Sequence, residues 1–164
     1  MATILDTIAP ISLTLGDYTF TMKNYRRIPG HDDSLPFTAT LYINGKRSYT
    51  ALNDGWGGEA FLTSVPTNKT DYNGINTYLR DNQFLWCEYE GHTLYYRTLP
   101  QIADALADNY DLRKELRKVW KHGKAVAYNA KTGQICSAPR ALLAPYINKG
   151  YALVYNEDGS EVTA

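Results

Sequence analysis

The run FTATLYINGKRSYTAL, residues 37–52, specifies a β-hairpin. Phe37, Ala39, Leu41 and Ile43 alternate with Thr38, Thr40 and Tyr42, the period of a strand with one covered face. Asn44-Gly45 follows at once, and both residues tolerate the positive φ that a two-residue turn demands. Residues 46–52 then read as the return strand. The same logic works backwards along the chain. Ile11, Leu13 and Leu15 alternate with Ser12 and Thr14, Gly16-Asp17 supplies a turn, and Tyr18, Phe20 and Met22 resume the alternation. Leu15 and Tyr18 flank that turn and share a face, so both apolar sets line one side of one ribbon. Between the two hairpins, residues 25–35 hold Pro29, Gly30, His31, Asp32 and Asp33 and read as a loop.

Forward of residue 52 the pattern loosens. Residues 53–59 form a glycine-rich loop around Trp56, and residues 61–65 read as a short strand. Ile75, Tyr78 and Leu79 have helical spacing within residues 70–82, but Gly74 weakens it. Residues 84–89 and 93–97 flank Glu90-Gly91 as another hairpin. The second half then turns helical. Thr98 can cap a helix with Pro100 near its start and Leu99, Ile102, Ala103 and Leu106 as its stripe. Asp111 can cap a second helix, with Leu112, Leu116, Val119 and Trp120 as its stripe and Gly123 as its stop. Residues 126–128 and 134–136 predict a further hairpin, residues 137–139 open a short helical stretch, and residues 151–155 predict a last strand. The expected fold is α+β: an antiparallel, hairpin-rich twisted sheet with two or three helices from the second half packed on one face. Residues 1–164 read as a single domain, and Leu116, Val119 and Trp120 are expected to cover the sheet alongside Leu99, Ile102 and Leu106.

The chain has 164 residues and is 44% hydrophobic, enough to bury a core without disulfides or metal. Lys+Arg and Asp+Glu both number 17, so no whole-chain attraction to nucleic-acid phosphate exists, although a local patch remains open. Cys87 and Cys136 make neither a zinc pattern nor a CxxC and are expected to be reduced. Cys136, placed just ahead of the expected helical start at residue 137, has no evident base and reads as a core residue. No basic start precedes an apolar run in residues 1–10, and no stretch approaches a membrane span, so the expected setting is the cytoplasm.

Four constellations bear on function. His31-Asp32-Asp33 looks catalytic, but His92 and His122 have no ligand-spaced partners, and the triplet reads as a solvated loop. The loop Asn53-Asp54-Gly55-Trp56-Gly57-Gly58-Glu59 has the glycines of a phosphate cradle without the Gly-Lys-Ser/Thr of a P-loop. Trp56, if exposed, is a contact hot spot. Arg113, Lys114, Arg117, Lys118, Lys121 and Lys124 are opposed only by Glu115 and give a helix over residues 111–122 a positive face. The preceding Ile102-Ala103-Asp104-Ala105-Leu106-Ala107 resembles the first helix of a helix-turn-helix. Against that, Ala107-Asp108 stands where a turn glycine is usual, and Arg113 stands where a buried aliphatic is usual.

The strand at residues 37–43 with Asn44-Gly45-Lys46, then Asn53-Asp54-Gly55 and Gly57-Gly58, resembles small uncharacterised phage and prophage proteins. These share a strand, an NGK turn and an NDGxGG loop, and Leu94-Tyr95-Tyr96-Arg97 is similar to their later strand. The resemblance implies a viral or mobile-element origin and carries over no catalytic residue. The function expected from it is a non-enzymatic, cofactor-free binding protein that inhibits a host protein, such as a component of anti-phage defence. Trp56, exposed tyrosines and the basic helix would make the contacts. Two alternatives stand beside it: nucleic-acid binding through the basic helix, and capture of a nucleotide or phosphate ligand by residues 53–59. Partners are thus a host protein first and nucleic acid second, with no membrane and with self-association left open.

Overall fold

The structure is a computed structural model that describes residues 3–29, 36–139, 142, 145 and 149–154. His31, Asp32 and Asp33 lie outside the described residues. The fold is α+β, with three helices and ten strands among the described residues. The chain divides into two compact units, one of residues 11–110 and one that joins residues 1–10 to residues 111–164.

The larger unit holds a five-stranded antiparallel sheet in the order β1 (Ser12–Leu15), β2 (Tyr18–Arg27), β3 (Phe37–Ile43), β4 (Lys46–Asn53), β5 (Phe61–Ser64). Its register follows the two short turns. Leu15 pairs with Tyr18 across Gly16-Asp17, and Ile43 pairs with Lys46 across Asn44-Gly45. Asn44 and Gly45 take φ of 50° and 77°, the left-handed pair that matches strand twist. Asn44 also ties the two turns together. Its backbone N–H donates to Thr19 O at 2.8 Å and its Oδ1 accepts from Thr19 N at 2.7 Å. Gly16, at φ 62°, has Tyr78 and Phe84 where a Cβ would stand. Tyr78 Oη accepts from Asp17 N at 3.0 Å, which seats α2 against this turn.

The anticipated alternation holds in β3: Phe37, Ala39, Leu41 and Ile43 are buried, with Thr40 buried in addition. They join Phe20 and Met22 under α2 (Tyr72–Asn82) and the first part of α3 (Leu99–Lys121), which contribute Ile75, Leu79, Leu99, Ile102, Ala103 and Leu106. Each fully buried large side chain here stabilises the fold by about 1.5–3 kcal/mol. Asp71 caps α2 by accepting from Gly74 N at 3.0 Å, so the glycine that weakened the helical reading sits at its first turn. The buried Asn76 accepts from Leu99 N at 2.8 Å and satisfies an end donor of α3. A small two-stranded sheet, β6 (Leu85–Tyr89) with β7 (His92–Tyr95), lies between the two helices in sequence.

The smaller unit packs α1 (Ile4–Ile8) and the second part of α3 on a three-stranded sheet. Its order is β10 (Ala152–Val154), β8 (Ala125–Tyr128), β9 (Ile135–Ala138). Leu5, Ile8, Leu116, Val126 and Val154 form its core, with Leu112, Val119 and Trp120 against them.

Five expectations from sequence are corrected. Strand β2 runs through the start of the expected loop to Arg27, because a register shift between Lys23 and Arg26, with Asn24 at φ 54°, absorbs an irregularity without ending the strand. The two expected helices are one. Residues 107–111 contain no Gly or Pro, and Tyr110 is anchored in helical position by stacking on Tyr25 at 5.0 Å and donating to Met22 O at 2.8 Å. The helix-turn-helix likeness ends there, since Ala107 and Asp108 lie inside α3. Leu116, Val119 and Trp120 do not cover the large sheet but serve the second core. Cys136 lies inside β9 rather than ahead of a helix.

Asn44→Ala is expected to destabilise the fold by about 1–2 kcal/mol, through lost hydrogen bonds and left-handed strain, while Asn44→Gly costs less. Gly16→Ala should cost at least as much because the new methyl meets Tyr78 and Phe84. Urea denaturation of the three variants, followed by far-UV circular dichroism, checks the ranking.

Candidate functional site

The glycine-rich loop is a built object. Asn53 Oδ1 accepts from Gly55 N at 2.9 Å, and Asp54 Oδ1 accepts from Trp56 N at 3.0 Å, two successive Asx turns. Asn53 Nδ2 donates to Asp104 Oδ1 at 3.0 Å, and Ala60 N donates to Asp104 Oδ2 at 3.0 Å. One carboxylate on α3 thus holds both feet of the loop. Burial pushes the Asp104 carboxyl above its ordinary value, opposed by the Asn53 and Ala60 hydrogen bonds. The amides a phosphate would need at Gly55 and Trp56 already serve Asn53 and Asp54. What the loop presents outward is Trp56, 77% exposed. Leu52 and Phe61, cross-strand partners in β4 and β5, are exposed beside its two ends.

The basic segment separates into two kinds of residue. Arg113 is structural: its Nη2 meets Asp6 Oδ1 at 2.7 Å, its Nε donates to Ala9 O at 2.7 Å, and its side chain is only 12% exposed. Asp6 accepts from Thr3 N at 2.7 Å, and that bond first, then Arg113, holds its carboxyl below the ordinary range. Lys114, Arg117, Lys118, Lys121 and Lys124 are exposed. Lys118 pairs with Glu115 at 2.8 Å, an exposed pair of small energetic weight. A shallow cavity of about 300 Å³ lies among Glu115, Lys118, Val119, His122 and Lys124. The smaller unit carries nine Lys and Arg against six Asp and Glu, so the neutral total conceals a basic unit and an acidic one.

A third surface was not singled out from sequence. The β6–β7 hairpin leaves Leu85, Trp86, Tyr89 and Leu94 exposed. It turns through Glu90-Gly91 at φ 48° and 77° and is moored by Tyr96 N donating to Phe84 O at 2.9 Å. The Trp86 and Tyr96 rings lie 5.9 Å apart. At the foot of this hairpin a cavity of about 160 Å³ is lined by Arg80, Gln83, Tyr95, Tyr96 and Arg97. Burial pushes the Tyr96 phenol up to about 12, so it stays a neutral hydroxyl at physiological pH. Apolar residues at alternate positions gave the strands, but nothing in that alternation said that this ribbon would stay uncovered.

Cys87 and Cys136 are free thiols, each half-buried. No helix among the described residues is long and apolar enough to cross a membrane. No protein-family model, curated protein or solved structure matches the chain.

Acid is expected to act on the two units in opposite directions. Asp6, with a folded pKa below 3.8, contributes stability that is complete above that value and is lost as pH falls through the folded pKa. Asp104, raised above 3.8, does the reverse: its contribution is complete below 3.8 and is lost as pH rises through the folded pKa. Residue-resolved hydrogen exchange on both sides of about pH 4, the ordinary carboxylate value, should show the Val126 amide losing protection only on the acid side. Asp104→Ala should release residues 53–60, read as faster Trp56 fluorescence depolarisation and a loss of about 1–3 kcal/mol from the unpaired Ala60 and Asn53 donors.

Proposed function

We propose that the chain is a non-enzymatic binding protein of phage or mobile-element kind that docks on, and inhibits, a protein in the cytoplasm of its host. One observation carries the reading. Every exposed large apolar side chain among the described residues, Leu142 apart, falls between Leu52 and Leu94, within the same unit that buries Phe20, Met22, Leu41 and Leu106 completely. A chain able to close one core that well leaves apolar area outside for contact. Trp and Tyr are the residues that concentrate energy at protein interfaces. Trp56 stands on a loop pinned at both feet, so little ordering cost remains to be met on docking. The viral and host assignments come from the sequence resemblance.

Nucleic-acid binding by the exposed face of Lys114, Arg117, Lys118, Lys121 and Lys124 is the second reading, favoured by the charge of the smaller unit. The two readings separate by salt. A host partner recovered on the immobilised protein, then purified and titrated calorimetrically, should bind with a negative heat-capacity change and little salt dependence. Trp86→Ala/Tyr89→Ala or Trp56→Ala should weaken it by about 2 kcal/mol or more, while Lys118→Glu/Lys121→Glu leaves it nearly unchanged. Labelled DNA and RNA that bind by fluorescence anisotropy with a steep salt slope, abolished in Lys118→Glu/Lys121→Glu, would replace this reading with the second.

A further inference from the structure

The cavity at the foot of the β6–β7 hairpin has a composition that the protein-docking reading does not require. It is lined by two guanidinium side chains, Arg80 and Arg97, one carboxamide, Gln83, and two phenols, Tyr95 and Tyr96. No carboxylate lines it. Neither guanidinium takes part in an ion pair among the described residues. Arg80 Nη2 donates to Thr77 Oγ1 at 3.3 Å, which leaves its other N–H groups for a ligand. Each of the five lining side chains carries a hydrogen-bond donor, and the two charged ones are both positive.

The size limits the ligand. A cavity admits one water at roughly 10–15 Å³, so about 160 Å³ admits a group of several heavy atoms. A whole nucleotide or drug-sized molecule wants roughly 300–1,000 Å³. Planar guanidinium pairs grip carboxylate and phosphoryl oxygens in a two-pronged geometry that lysine cannot supply. Gln83 adds a further sign. It ends α2 in the left-handed region at φ 48°, where glycine is the unstrained choice, and it places a donor side chain on this wall.

We infer that the pocket between Arg80 and Arg97 is a binding site for a single terminal oxyanion, a phosphoryl or carboxylate group at the end of a larger ligand. Tyr96, largely buried in the lining, gives it a neutral wall that neither repels the anion nor competes for the arginines. Exposed Leu85 and Trp86 flank the pocket's own strand and receive the apolar part that carries the anion. The site stands on its own geometry and holds an oxyanion whether or not the hairpin docks a protein.

The test titrates the full chain with phenyl phosphate, inorganic phosphate and benzoate at constant ionic strength, reading the arginine Nε–Hε signals by ¹⁵N NMR. The expected result is saturable movement of the Arg80 and Arg97 signals. Phosphate compounds alone moving them identifies a phosphoryl group, and benzoate moving them as well identifies carboxylates too. Arg80→Gln and Arg97→Gln should each weaken binding roughly tenfold or more, the scale of one charge-assisted hydrogen bond. Lys118→Gln/Lys121→Gln, which removes as much charge elsewhere, should leave it unchanged. Gln83→Gly should raise the melting temperature while weakening the anion. No saturable shift with any probe, or a shift that survives Arg80→Gln/Arg97→Gln, overturns the assignment. Loss of host-protein docking with these shifts intact sinks the docking reading and leaves the pocket standing.

Discussion

Asn44 holds the register on which the large unit depends. Its left-handed backbone closes the β3–β4 turn, and its side chain reaches Thr19 N and the carbonyl of Asp17 in the neighbouring turn, at 2.7 and 3.3 Å. Two hairpins are thereby locked in phase. In a sheet, a slip of one residue sends every side chain to the opposite face. With this phase, Phe20, Met22, Leu41 and Ile43 all join the core beneath the helices, while Thr38 and Tyr42, at alternate positions of β3, are only partly buried. The pair Ser12 and Thr21 shows the outer face doing its own polar bonding, hydroxyl to hydroxyl at 2.8 Å.

Helix α3 runs under a different constraint. Its Leu99, Ile102 and Leu106 serve one core and its Leu116, Val119 and Trp120 serve another. A helical stripe announces that some apolar partner exists without saying which. That is why the strands were legible in sequence and the helix partition was not. Alternation plus Asn-Gly fixes partner, register and face locally. The residues around Asn109 and Asp111 carried a capping signal that was real in type but outweighed by Tyr110, whose ring and hydroxyl find Tyr25 and Met22 far back in the chain. The helix α1 is too short to show a period at all.

The candidate sites divide the same way. Trp56 and the exposed lysines were visible as residue types, because loops and charged faces rarely bury them. Arg113 looked like one more cation of the set. Its partner Asp6 stands at the other end of the chain, and no local spacing reveals a pair so separated. The loop at residues 53–59 is held by Asp104, again a distant carboxylate. Arg80 and Arg97 belong to different elements and become neighbours of one cavity only through the hairpin between them.

The uncovered β6–β7 hairpin also bears on how the protein behaves in bulk. Its isoelectric point is about 6.8, so near neutral pH copies meet with little net charge to keep them apart. Among the described residues neither edge of the two-stranded sheet has a neighbouring strand, and Leu85, Trp86 and Tyr89 are exposed. Colloidal stability therefore rests on the uneven spread of charge between the two units rather than on its sum. Moving pH away from neutrality in either direction restores repulsion, whereas added salt near neutrality screens what little orientation the charges impose and leaves the apolar ribbon to govern association.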